Sequence, residues 1–96
     1  MEKLLFSICI PSYNRPQELK NLLQSIDFSE PEIMEIVICE DKSPRREEIR
    51  KIVEEFKTTT RYKIIYVENK ENLGYDGNLR ALINNAQGNF IIFMGD

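Results

Sequence analysis

The chain has 96 residues, 42% hydrophobic and 30% charged, with 13 Lys and Arg against 16 Asp and Glu for a net charge of −3. That length holds one core with little room for an elaborate closed site, and the mildly acidic balance argues against general nucleic-acid binding. There is no His, which removes His-based zinc sites and Ser-His or Cys-His nucleophiles.

The first six residues, Met1 to Phe6, are interrupted too quickly by Glu2 and Lys3 to form a signal peptide or membrane span, so the expected location is the cytoplasm, including the inner face of the membrane. Leu4 to Ile10 reads as a strand that stops at the two prolines of Pro11-Ser12-Tyr13-Asn14-Arg15-Pro16. Pro16 suits a first helical turn, and Leu19, Leu22, Leu23 and Ile26 mark one helix face. Ser29-Glu30-Pro31-Glu32 breaks that helix, and Ile33 to Cys39 reads as a strand buried on both faces. Ser43 is expected to cap the next helix with Pro44 in its first position, and Ile49, Ile52, Val53 and Phe56 form its apolar stripe. Lys42, Arg45, Arg46, Arg50 and Lys51 alternate with Glu47, Glu48, Glu54 and Glu55 and read as a solvated helix face.

Thr58-Thr59-Thr60 reads as a polar link to a third strand over Tyr62 to Val67. A loop over Glu68 to Gly74 leads into a helix from Tyr75 or Asp76 that buries Leu79, Leu82, Ile83 and Ala86 and stops at Gly88. Phe90 to Met94 is the fourth strand, followed by Gly95-Asp96. Cys9 and Cys39 lie inside apolar runs and read as reduced core thiols.

The expected fold is α/β, a Rossmann-like β-α-β-α-β-α-β half-domain on a mostly parallel four-stranded sheet. Right-handed crossovers place all four strand C-termini on one edge, where open α/β sheets bind ligands. Pro11 to Arg15, Glu40 to Lys42, Asn69 to Gly74 and Gly95-Asp96 all fall there. Carboxylates, an Arg, a Tyr and helix-start donors suit a nucleotide base, a ribose and a metal-bridged phosphate. Neither G-x-G-x-x-G nor G-x-x-x-x-G-K-[ST] is present, which disfavours a dinucleotide dehydrogenase or P-loop NTPase.

Four segments carry a resemblance: Ser7-Ile8-Cys9-Ile10-Pro11-Ser12-Tyr13-Asn14-Arg15, Ile36-Val37-Ile38-Cys39-Glu40-Asp41-Lys42-Ser43, Glu71-Asn72-Leu73-Gly74 and Phe90-Ile91-Ile92-Phe93-Met94-Gly95-Asp96. In this order and spacing the chain resembles the N-terminal, nucleotide-sugar-binding part of an inverting family 2 glycosyltransferase with the GT-A fold. The stretch Asn72-Leu73-Gly74-Tyr75-Asp76-Gly77-Asn78 is similar to abequosyltransferase-type enzymes of bacterial surface-polysaccharide synthesis. The resemblance implies a nucleoside-diphosphate sugar as donor, UDP-linked first, and a glycan or lipid-linked acceptor bound by a later region.

Under that resemblance Pro11 and Tyr13 shape the base pocket, with the Tyr13 ring against the base. Asp41 accepts a hydrogen bond from the base and Glu40 supports it, in a motif where the family's Asp-Asp-Gly reads Glu40-Asp41-Lys42. Arg15, Asn72, Gly74, Asp76 and Asn78 complete the donor side. Asp96 matches the first acid of an Asp-x-Asp that holds Mg²⁺ or Mn²⁺, so residues 1–96 read as a donor-binding segment ending at an incomplete metal site and inactive by itself.

Each candidate also has a plainer reading. Tyr13 can cap the sheet edge, Asn72 and Gly74 are common turn residues, and Asp41 can help cap the second helix. For Asp41 the binding reading is favoured, because an adjacent acidic pair after a buried strand holds two like charges together at a cost. The alternative for the whole chain is a non-catalytic or vestigial interaction module that forms a homodimer through an exposed sheet edge.

Overall fold

The computed structural model describes residues 4–95. It runs β1 (Phe6–Ser12), α1 (Pro16–Ser25), a short 3-10 turn (Pro31–Ile33), β2 (Met34–Glu40), α2 (Arg46–Thr59), β3 (Lys63–Glu68), α3 (Gly74–Asn85) and β4 (Phe90–Phe93). The four strands form one sheet in the order β3-β2-β1-β4, every pair parallel, as the alternating pattern requires.

Strand alternation divides the core into two layers. Even-numbered Ile8, Ile10, Met34, Ile36 and Ile38 meet Leu19 and Leu23 of α1 and Ile49 and Val53 of α2. Odd-numbered Cys9, Val37 and Cys39 meet Leu82 of α3 on the opposite face. β2 is central and all seven of its residues are buried, which explains its unbroken apolar run. Each fully buried Ile or Leu contributes roughly 1.5–3 kcal/mol. Both cysteines are free thiols, and burial pushes each up to about 11.

Several element ends differ from the sequence expectation, each for a visible reason. β1 continues past Ile10 through Pro11 to Ser12. β4 pairs with β1 only as far as Cys9 opposite Phe93, and the Met94 N–H then donates to the Cys9 carbonyl at 3.0 Å. The next donor on that side of β1 would be Pro11, which has none, so the proline lies where the ladder has already ended. On the other side the Ser12 carbonyl accepts from Asp41 N–H at 3.0 Å.

Ser43 and Pro44 do not start α2. The buried Glu40 carboxylate takes the N–H groups of Lys42 (2.9 Å) and Ser43 (2.8 Å), and the Ser43 carbonyl accepts from Arg46 N–H at 3.2 Å. Pro44 therefore occupies the second position of a turn, where its fixed φ fits, and Arg45 becomes the N-cap. α2 also runs on through Thr58 and Thr59, whose hydroxyls donate back to the carbonyls of Glu55 and Phe56. β2 and β3 begin one residue late, after the 3-10 turn and after Tyr62, whose hydroxyl accepts from Phe28 N–H at 2.6 Å.

Gly88 does not stop α3, which closes at Ala86. Its small size has another purpose. A Cβ there would lie 2.7 Å from Ser7 Oγ and 2.8 Å from the Phe6 carbonyl carbon. Gly88 N–H donates to Ser7 Oγ (2.8 Å), and that hydroxyl donates to Glu35 Oε2 (2.6 Å). Gln87 N–H donates to the same Glu35 oxygen (2.6 Å), so a buried acid pins the turn before β4 to the start of β1 and β2.

Candidate functional site

At the strand C-termini a cleft of about 450 Å³ is lined by Pro11, Ser12, Tyr13, Arg15, Asp41, Asn72, Gly74, Tyr75, Asn78 and Gly95. Pro11, Tyr13, Arg15, Asp41, Asn72, Gly74 and Asn78 are among the residues expected there from sequence. Glu40 and Asp76 are outside the lining, and Asp96 lies outside the described residues.

Glu40 and Asp41 are adjacent, yet strand alternation sends them to opposite faces of the sheet. Glu40 points to the α2 side, where it is fully buried and paired with Arg46. Asp41 points to the α3 side. The expectation of two like charges held together is thereby corrected: the peptide geometry separates the carboxylates, and each has its own partners.

Asp41 is 3% exposed. Its Oδ1 accepts from Leu73 N–H (2.7 Å) and Asn69 Nδ2 (3.0 Å), and its Oδ2 accepts from Gly74 N–H (3.0 Å). The N-cap residue Leu73 offers no side-chain cap to α3, so the carboxylate just after β2 accepts from the first amide donors, sharing Gly74 N–H with Asn72 Oδ1 (3.2 Å), and faces the positive end of the helix dipole. The Asn72 Nδ2 donates to the Asp41 carbonyl (2.9 Å). Thus the plainer account of Asp41 as a capping group holds for α3 and not for α2, while the residue also lines the cleft.

Asn78 is an inward-facing residue of α3, 2% exposed. Its Nδ2 donates to the Cys39 carbonyl (3.0 Å) and its Oδ1 accepts from Asn69 Nδ2 (2.8 Å). Asp76, two residues earlier, is rotated about 200° around the helix and is exposed. Asn69, placed on this edge by the sequence but given no role there, is the hub: one amide joins Asp41 to Asn78. Its signal was its place at the end of β3, on the same face as Asp41 by alternation.

The open wall of the cleft is aromatic. Tyr13 is 48% and Tyr75 71% exposed. Asn14 (φ 57°), Lys42 (φ 57°) and Gly74 (φ 76°) all adopt left-handed backbone in the loops around it. Arg15 sits on the rim and approaches Glu18 at 3.9 Å. The buried Ser12 hydroxyl has no partner among the described residues. Ser12 and Gly95, which the sequence placed on this edge without a role, line the cleft together with Tyr75.

The basic cluster is more than a solvated face. Arg45 pairs with Glu48 at the surface (2.8 Å), as expected. Arg46 instead reaches Glu40 and the Asn69 carbonyl, and Arg50 grips Glu68 through two bonds of 2.7 and 2.8 Å. That bidentate contact holds the Glu68 carboxyl below the usual carboxylate range, while burial and the hydrogen bond to Glu68 raise the Tyr66 phenol. No group of three His, Cys, Asp or Glu able to hold a metal ion occurs among the described residues.

Comparison with known proteins gives a consistent result. Residues 7–96 match the model of the family described as glycosyl transferase family 2. The abequosyltransferase RfbV of Salmonella typhimurium is 33% identical over 92 residues, a match covering 96% of this chain and 28% of that protein. Staphylococcus aureus TarS superposes with a TM-score of 0.76 at 26% identity, over 96% of this chain and 16% of the TarS chain. The mannosyltransferase PcManGT of Pyrobaculum calidifontis, solved with GDP-Man and Mn²⁺, superposes with a TM-score of 0.78 at 18% identity, over 98% of this chain and 28% of its own. The chain thus spans less than a third of the length of these proteins.

Proposed function

The chain belongs to glycosyl transferase family 2, and from that premise we propose that residues 1–96 form the donor-binding segment of an inverting glycosyltransferase. The whole protein would transfer a sugar from a nucleoside-diphosphate sugar, UDP-linked first, to a glycan or lipid-linked acceptor in surface-polysaccharide synthesis. The observation that carries this reading is the convergence of Pro11, Tyr13, Arg15, Asp41, Asn72, Gly74 and Asn78, from the three β–α connections and the adjoining ends of β1 and α3, on one cleft.

In this reading the half-exposed Tyr13 ring offers a stacking face for the base. Asp41 accepts one bond at Oδ2 from Gly74 N–H, and a carboxylate oxygen has capacity for a second donor such as a base N–H. Arg15 on the rim supplies positive charge for the diphosphate. A divalent cation, when bound, would neutralise charge on the leaving diphosphate. The described residues do not gather a ligand set for it, so no step is assigned to a metal in this segment.

Titration calorimetry with UDP and GDP, with and without Mn²⁺, tests the proposal. Binding should weaken about tenfold or more in Tyr13→Ala, consistent with roughly 1–3 kcal/mol for one base stacked on an aromatic ring. Tyr13 is exposed enough that this change leaves the fold intact. Failure of both nucleotides to bind the wild-type chain would sink the proposal.

One observation favours a second reading. β4 is an edge strand without charge or proline, and Phe90, Ile91 and Phe93 are exposed on it. A non-catalytic module that dimerises through this edge would give a two-chain mass in light scattering, whereas a strict monomer rejects that reading.

A further inference from the structure

We propose that Arg46 is a positioning residue for the cleft, fixing the spacing of the two loops that Asp41 bridges; this rests on the donor-binding reading above. The first loop follows β2 and wraps around the Glu40 carboxylate, whose two oxygens accept from Lys42 and Ser43 N–H. The second follows β3 and contains Asn69, Asn72, Leu73 and Gly74, the partners of Asp41. On the α3 face of the sheet Asp41 ties the loops together. The starts of the loops are joined by the backbone bond from Asn69 N–H to the Glu40 carbonyl (2.9 Å), and on the opposite face Arg46 braces that junction: its Nε donates to Glu40 Oε1 and its terminal nitrogen donates to the Asn69 carbonyl.

The chemistry requires an arginine. Glu40 is fully buried, and its ion-pair partner Arg46 is 23% exposed, so the pair is shielded from solvent. A guanidinium presents donors in a rigid plane and can hold a carboxylate and a separate carbonyl at a fixed distance. An ammonium is a single point of charge and cannot set that spacing. The position at the first residue of α2 anchors the clamp to a helix packed on the core. Arg50, one helical turn later, provides a comparison: it also pairs with an acid at the end of β3, but the bonds go to Glu68 and not to the cleft loop.

The test compares Arg46→Lys, Arg46→Gln and Arg50→Lys with wild type by urea unfolding, by UDP and GDP titration, and by NMR of the backbone amides of Lys42, Ser43, Leu73 and Gly74. Arg46→Lys should stay folded, move the Leu73 and Gly74 amides on the far face of the sheet, and weaken nucleotide binding by clearly more than Arg50→Lys does. Arg50→Lys should bind within twofold of wild type and leave those amides in place. If Arg46→Gln unfolds, Arg46→Lys decides. If the wild-type chain binds neither nucleotide, the donor-binding reading fails by itself, and amide shifts in Arg46→Lys but not Arg50→Lys still establish the clamp. Unmoved Leu73 and Gly74 amides in folded Arg46→Lys overturn it, as does unchanged affinity where wild type binds.

Discussion

Gly74 opens α3 with φ at +76°, and a Cβ added there would meet no atom within 4 Å. Replacing it with alanine therefore changes backbone preference without any steric clash. A left-handed conformation costs an L-residue roughly 1–2 kcal/mol. Alanine recovers about 0.4–1 kcal/mol of that by restricting the unfolded chain. Gly74→Ala should thus lose about 1 kcal/mol, a fall of roughly 4–8 °C in Tm for a domain of this size. Lys42, at φ 57°, is the opposite case, a side chain where glycine would be unstrained. Its ion pair with Glu71 is long, 3.8 Å, and both side chains are more than half exposed, so losing it matters little. Lys42→Gly should be neutral to stabilising, by up to about 1 kcal/mol. Urea unfolding with unchanged m-values measures both. A neutral Gly74→Ala, or a Lys42→Gly that loses as much as Gly74→Ala, would refute the argument from left-handed backbone.

Gly88→Ala should destabilise by about 1–3 kcal/mol, read by urea unfolding, because the new Cβ collides with the backbone of Phe6 and Ser7 rather than with a flexible side-chain end alone. Glu68 is held below its ordinary range by Arg50, so its contribution is complete above the unfolded-state value near 4.3 and declines as pH falls through the lower folded value. Acid titration of stability in Glu68→Gln should therefore show a shallower loss below about pH 4.3 than wild type. Cys9 and Cys39 are pushed up to about 11 by burial, so the unfolded chain ionises first and stability should fall as pH rises above about 8.5. At pH 8 a thiol reagent should label both only at the rate of global opening, and fast labelling of the folded protein would contradict their placement.

The layering of the fold was legible because Leu19, Leu23, Ile49 and Val53 repeat at helical spacing and β2 is apolar throughout. The cleft was legible because its residues follow strand ends, a property of chain order in parallel sheets. What the sequence hid was direction and pairing. Glu40 and Asp41 read as one acidic pair until alternation is applied at the end of β2. Pro44 looked like a helix start because nothing local reveals that Glu40 has already claimed the Lys42 and Ser43 amides. Asn69 falls on the binding edge by sequence, but its role as a bridge is hidden, since that role comes from residues 28 and 9 positions away. The roles of Glu35 and Gly88 are hidden for the same reason: their contacts join the start of β1 and β2 to the turn before β4.

Pro11 has a consequence for the mouth of the cleft. Parallel strands close like a zipper, each amide on one strand engaging the next carbonyl on its neighbour. After Met94 N–H engages the Cys9 carbonyl, the next tooth on β1 would be the amide of Pro11, and that tooth is missing. The pairing between β1 and β4 has ended by that point, and Pro11 and Gly95 both line the cleft. With no amide hydrogen at Pro11, the β1 side of the cleft mouth carries no backbone donor at that point to compete with a ligand.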